Sequence, residues 1–158
     1  MAAAITRGDL RVCGCEPGHL DTLLQKLEEA GLRLDVGDRE IRVASNGTLK
    51  SRDVSTDPYH GFATDFKAQY MALMALSGER CRITENVFEN RFMHVQELVR
   101  MGARIRVSGR TAQVEGVEKL SGAHVQATDL RASASLILAG LAAEGTTEVH
   151  RVYHLDRG

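Results

Sequence analysis

Apolar residues along this chain fall into two alternating rhythms. Leu20, Leu23, Leu24 and Leu27 recur at helical spacing, as do Phe66, Tyr70, Leu73 and Met74, with a shorter stripe at Val95, Leu98 and Val99. Between these stripes, Leu32-Arg33-Leu34-Asp35-Val36 and Ile41-Arg42-Val43 alternate with period two. So do Ala103-Arg104-Ile105-Arg106-Val107 and Ala112-Gln113-Val114, and both pairs read as β-hairpins. The segment 130–144 differs: Leu130, Ala134, Ile137, Leu138, Leu141 and Ala142 wrap most of a helix, which predicts a buried helix rather than a half-exposed one.

These rhythms repeat. Glu28-Glu29-Ala30-Gly31-Leu32-Arg33-Leu34-Asp35-Val36 ends a helix and opens a strand, and Val99-Arg100-Met101-Gly102-Ala103-Arg104-Ile105-Arg106-Val107 does the same 71 positions later, from Gly31 to Gly102. Thr64-Asp65-Phe66-Lys67-Ala68 and Thr128-Asp129-Leu130-Arg131-Ala132 share a second pattern, 64 positions apart. The helices they open are expected to end at Gly78 and Gly145. Gly8, after Ala2-Ala3-Ala4-Ile5, looks like the matching glycine of a helix that begins before Met1. The expected fold is α/β, built from βαβαββ units of about 65 to 70 residues with the helices inside and the sheet outward, and incomplete here. Residues 1–49 read as the second half of a first unit, 50–119 as a complete second unit and 120–158 as the first half of a third, all within a single domain. Open ends of this kind predict exposed apolar surface and possible self-association.

Charge narrows the function classes. Twenty basic and 21 acidic side chains leave a formal charge of −1, without the basic excess that duplex nucleic acid or an anionic membrane attracts. No apolar run approaches the roughly 20 residues of a membrane span, and no signal-peptide pattern opens the chain, so a cytoplasmic protein is expected. Cys13, Cys15 and Cys81 are an odd set without a C-x-x-C clamp and read as reduced core cysteines.

Chemistry concentrates in three places. Asp65 and Asp129 each precede the apolar part of a helix; the simplest reading makes each an N-cap. Their duplication suggests more, because equivalent helix starts can bring two carboxylates and two cations, Lys67 and Arg131, to one anionic ligand. One carboxylate would then act as base while the other orients the ligand, and spacing does not say which. The segment Thr84-Glu85-Asn86-Val87-Phe88-Glu89-Asn90-Arg91-Phe92-Met93-His94 is either an ordinary connector or a binding loop. In the second case Arg91 offers a fork to a carboxylate or phosphate, and Asn86 and Asn90 offer amides. His94 has no partner histidine at helical spacing, so no metal is expected. Tyr153-His154-Leu155-Asp156-Arg157-Gly158 carries a further arginine.

Three strings in this chain closely resemble the UDP-N-acetylglucosamine enolpyruvyl transferases. They are Thr-Glu-Asn-Val-Phe-Glu-Asn-Arg-Phe-Met-His from Thr84, Gly-Val-Glu-Lys-Leu-Ser-Gly-Ala from Gly116, and Ala-Thr-Asp-Leu-Arg-Ala-Ser-Ala-Ser-Leu from Ala127. The resemblance implies most of one domain of a two-domain enzyme, each domain an inside-out α/β barrel of such units, with substrates bound between the domains. It also implies transfer of enolpyruvyl from phosphoenolpyruvate to the sugar 3-hydroxyl of UDP-N-acetylglucosamine, in peptidoglycan precursor synthesis, with no metal or organic cofactor. By motif, Asp65, Asp129 and Arg157 are the catalytic candidates, with Arg157 toward phosphoenolpyruvate. Asp65, Val87, Phe88, Asn90, Arg91 and Arg131 are the substrate-binding candidates. The loop cysteine of the companion domain has no counterpart here, so the chain alone is expected to be inactive. One departure stands before Asp65: the family's Pro-Gly-Phe-Pro is His60-Gly61-Phe62-Ala63 here, which predicts a looser approach to the helix. Two rival readings are a non-catalytic nucleotide-sugar or interaction module of the same fold, and a relative of the 3-phosphoshikimate enolpyruvyl transferases.

Overall fold

The structure, a computed structural model, describes residues 1–157 without the side chains of His154, Asp156 and Arg157. In chain order it contains α1 (Ala2–Ile5), β1 (Asp9–Cys13), α2 (Asp21–Glu29), β2 (Arg33–Val36), β3 (Glu40–Ala44), β4 (Val54–Ser55) and α3 (Thr64–Met74). There follow β5 (Arg80–Thr84), α4 (His94–Arg100), β6 (Arg104–Ser108), β7 (Thr111–Glu115), β8 (His124–Gln126), α5 (Leu130–Ala142) and β9 (Glu148–His150).

Both hairpins form, and each takes a third strand from earlier in the chain. The strand orders are β1-β3-β2 and β4-β5-β7-β6. Equivalent rows correspond: Leu10, Val43 and Leu34 lie side by side in the first sheet, as Cys81, Val114 and Ile105 do in the second, although Leu10 on the edge strand stays exposed. One face of each sheet therefore turns toward the helices. The opposite faces carry arginines paired with acids, such as Arg42 with Asp9 and Arg82 with Asp53, and such exposed pairs contribute little to stability. β8 and β9 make a separate parallel pair, and β4 and β5 are also parallel, each joined through one long helix. Among the described residues the three sheets do not close into a barrel.

Glycine matters at the two helix ends that the repeat singled out. Gly31 and Gly102 have φ of 97° and 95°, a conformation costly for any residue with a Cβ. There the chain turns back so that Leu32 N donates to Leu27 O and Ala103 N to Leu98 O, closing α2 and α4 in the same way. The third expected match needs correction. Gly8 does not share the left-handed φ of Gly78 (73°) and Gly145 (90°), and Arg7 before it takes φ 55°.

The two long helices exchange the roles expected of them. α3, which showed one stripe, is enclosed: Tyr70, Met71, Ala72, Leu73 and Met74 are each 0% exposed. α5, which looked buried all round, packs along α3 with Ala132, Leu136 and Ala139 and leaves Leu130, Ile137 and Leu141 in solvent. Small residues on the buried face of α5 let the helices approach closely, so the enclosed position falls to the helix carrying the larger side chains. The cysteine expectation also divides. Cys81 is buried, and burial pushes its thiol up to about 11, but Cys13 is exposed and Cys15 half-buried. No described helix is long and apolar enough to cross a membrane.

This packing makes α5 strongly two-faced. Leu136→Ala is expected to cost about 2–5 kcal/mol in urea unfolding, whereas Leu141→Ala should stay within about 0.5 kcal/mol.

Candidate functional site

The loop after β5 is organised by one carboxylate. Glu85 lies 2.7 Å from the Lys67 ammonium of α3, and the two side chains are 1% and 2% exposed. Its two oxygens also accept from Thr56 Oγ1 (2.8 Å), Thr64 Oγ1 (2.7 Å) and the amides of Val87 (2.9 Å) and Phe88 (3.1 Å). Burial alone would raise the Glu85 pKa, but the hydrogen bonds from Lys67, Thr64, Thr56 and the Phe88 amide outweigh it and hold it at about 2. Lys67 spends a second proton on Arg91 O at 2.8 Å and sits 4.0 Å from the centroid of the Phe92 ring. Lys67 is thus a strut between helix and loop rather than a free cation.

That strut shapes what the loop presents. Asn90 takes φ 54°, and Arg91 folds over the Phe88 ring at 4.1 Å. Arg91 Nη1 and His94 Nε2 are buried, and neither has a hydrogen-bond partner among the described residues. Burial, aided by the nearby Lys67 charge, pushes the His94 imidazole down to about 4, so it is neutral at pH 7. Asn86 is already used, its amide donating to Ser55 Oγ at 2.7 Å.

The two helix starts differ in detail. Asp129 is a true N-cap: its backbone is extended, and one oxygen accepts from the amides of Arg131 (2.8 Å) and Ala132 (3.1 Å). Asp65 is not a cap, since the extended residue before α3 is Ala63 and Asp65 already lies in the first turn. Its carboxylate instead reaches across to the guanidinium of Arg131, joining the N-termini of α3 and α5. The approach to α3 is not loose. Phe62 is buried against Phe66 and Tyr70, and Thr22 Oγ1 donates to the carbonyls of His60 and Gly61. A Cβ on Gly61 would come within 2.5 Å of Asp57 Cβ, so the turn keeps its glycine.

Asn90, Arg91, Asp129 and Arg131 line one cavity of about 240 Å³, together with Thr64, Lys67 and His94. Asp65 borders this group through Arg131. Val87 lies instead in a neighbouring cavity of about 200 Å³, with Tyr59, His60, Thr22 and Phe66, and Thr64 lines both. Phe88 is exposed and supports Arg91. The role expected of Arg157 falls on a side chain outside the described residues. Sequence reasoning passed over Glu85, Thr56 and Thr64, and the polar character of the segment after β5 was the only local signal for Glu85. The cavity combines guanidinium groups, helix starts and carboxylates, an arrangement suited to an anionic ligand that also carries hydroxyl groups.

Removing the central carboxylate has a defined cost. Glu85→Gln leaves the buried Lys67 charge without its counterion and is expected to lower stability by about 3–5 kcal/mol in urea unfolding. The folded pKa is depressed, so the stabilisation is full above the unfolded value near 4.5 and is lost as pH falls toward about 2. In Glu85→Gln this part of the acid sensitivity should vanish.

The sequence pattern of the EPSP synthase family (3-phosphoshikimate 1-carboxyvinyltransferase) matches residues 1–158. Two curated relatives, both named UDP-N-acetylglucosamine 1-carboxyvinyltransferase, are 58% identical to this chain. They come from Desulfosudis oleivorans and Xanthobacter autotrophicus; the matches cover all of this chain but only 38% and 37% of those proteins. Among solved structures, the enolpyruvyl transferase NikO from Streptomyces tendae superposes with a TM-score of 0.87 at 29% identity, over 99% of this chain and 39% of its own. EPSP synthase from Acinetobacter baumannii follows at 0.75 and 20%, over 94% of this chain and 36% of its own, a likeness of fold. The chain belongs to the EPSP synthase (3-phosphoshikimate 1-carboxyvinyltransferase) family.

Proposed function

We propose that this chain forms one wall of the substrate cleft of a UDP-N-acetylglucosamine 1-carboxyvinyltransferase, a cytoplasmic enzyme of peptidoglycan precursor synthesis. The observation that carries the reading is the Asp65–Arg131 bridge between two helix starts, beside the cavity of Arg91, Asn90 and Asp129. The names of the relatives support the choice of acceptor over shikimate phosphate. The chain spans under two fifths of their length, so the companion domain is part of the proposal. Residues 50–119 form the complete βαβαββ unit of this wall, with 1–49 and 120–158 as its partial neighbours. The exposed Leu130, Ile137 and Leu141 on α5 suit further packing partners.

In this reaction the sugar 3-hydroxyl oxygen bonds to the enol carbon of phosphoenolpyruvate. Asp65 takes the hydroxyl proton, and Asp129 is the second carboxylate of the cleft. Arg131 orients Asp65, Arg91 faces substrate negative charge, and Arg157 is assigned to phosphoenolpyruvate by motif; guanidinium groups stabilise such charge as it develops. Val87, Phe88 and Asn90 contact the nucleotide sugar. The proton added to the methylene carbon comes from the companion domain and leaves again as phosphate departs. No cofactor enters these steps.

Two outcomes test the reading. Calorimetric titration with UDP-N-acetylglucosamine should show saturable binding to this chain, weakened at least about tenfold by Asp65→Ala, the order expected for a lost charged hydrogen bond. Unchanged binding would remove Asp65 from the site. With both substrates supplied, the chain alone should release no phosphate, because the reacting groups are brought together only when the cleft closes. Turnover by the isolated chain would contradict the shared-cleft reading. Binding without any turnover on addition of the companion domain would favour the non-catalytic module.

A further inference from the structure

The sheet formed by β8 and β9 presents an unusual outer face. Parallel pairing sets His124 opposite Glu148, and His150 follows Glu148 by two residues on the same face. His124 Nδ1 lies 3.2 Å from Glu148 Oε2, and His150 Nε2 lies 3.3 Å from Glu148 Oε1. The two imidazole rings stack at 5.9 Å with 17° between their planes. Ligand atoms from all three residues fall within 4.8 Å of one another.

We propose that His124, Glu148 and His150 form a divalent transition-metal site on this face, with Zn²⁺ as the favoured ion. The donor set is two imidazoles and one carboxylate, borderline ligands that suit Zn²⁺ and disfavour Mg²⁺ or Ca²⁺. The spacing fits as well. Ligands about 2.0–2.1 Å from a tetrahedral ion stand roughly 3.3 Å apart; each imidazole already lies that close to one oxygen of Glu148, and all three ligand atoms lie within 4.8 Å of one another. Paired strands hold the ligand-bearing backbone, so small side-chain rotations suffice to converge on an ion. Side-chain exposures of 78%, 55% and 47% for His124, Glu148 and His150 leave the ion a path in and a fourth position for water.

The placement gives the site a consequence. β8 ends just before Ala127, Thr128 and Asp129, and β9 follows the end of α5, so a shared ion cross-links the two strands that bracket that helix. The three side chains lie on the sheet's solvent face, outside the cavity of Asn90, Arg91 and Asp129. Metal binding there is independent of the proposed transferase reaction.

The test is titration of the 158-residue chain with Zn²⁺ in a non-coordinating buffer, read by calorimetry and thermal melting, with Co²⁺ absorption reporting the geometry. One saturable site and a higher melting temperature are expected. His124→Ala and His150→Ala should each weaken binding at least tenfold, and Glu148→Gln should weaken it while preserving side-chain shape. All three positions are exposed, and far-ultraviolet dichroism checks that each variant folds. Cys13→Ser/Cys15→Ser, which removes the two thiols that are not buried, should leave the affinity unchanged. The proposal is overturned if Zn²⁺ shows no saturable binding, if the histidine variants bind as tightly as the parent, or if the cysteine variant alone loses the ion.

Discussion

A single ion pair deep in the molecule, Lys67 with Glu85, fixes the relation between helix α3 and the loop that follows β5. A charge pair in such a place is expensive to desolvate. It is retained here with every lone pair of the carboxylate engaged, the condition under which a buried polar group stops being a liability. Thr56, Thr64, Lys67 and two loop amides come from three separate stretches of chain, so one carboxylate registers all three. The geometry of Asn90 and Arg91 follows from that registration. Their positions next to Asp129 and Arg131 depend on how α5 lies against α3.

The second organising fact is duplication. Similar strand, helix and hairpin patterns place similar helix starts near each other, yet the two acidic residues there behave differently. Asp129 satisfies its own helix, which leaves Arg131 free to reach outward. Asp65 leaves its own helix and accepts that guanidinium. A pair of equivalent motifs thereby yields one cap and one bridging carboxylate, an asymmetry that a reaction with distinct base and orienting groups can use.

Much of this was legible in the sequence. The Gly31 and Gly102 spacing located two helix ends and two hairpins because left-handed turns and period-two alternation are local properties. Asp129 could be read as a cap for the same reason. Asp65 could not be distinguished from it by pattern. The helix starts at Thr64, just after the buried Phe62 and its bridge to Thr56, a local arrangement that the Thr-Asp pattern does not show. Glu85 was invisible for a related reason, since its partners Thr56, Thr64 and Lys67 lie 18 to 29 positions away and a carboxylate in a polar segment gives no local sign of burial. The exchange of burial between α3 and α5 likewise reflects which helix has neighbours on all sides, a fact that composition does not carry.

In the proposed function, α3, α5 and the Glu85 loop present one wall to a nucleotide sugar. Backbone amide chemical shifts of the isotopically labelled chain, followed as UDP-N-acetylglucosamine is added, test this most directly. The largest changes should cluster at residues 63–67, 85–94 and 128–132. Changes confined to the arginine-rich outer faces of the sheets, or none at all in those three stretches, would contradict it.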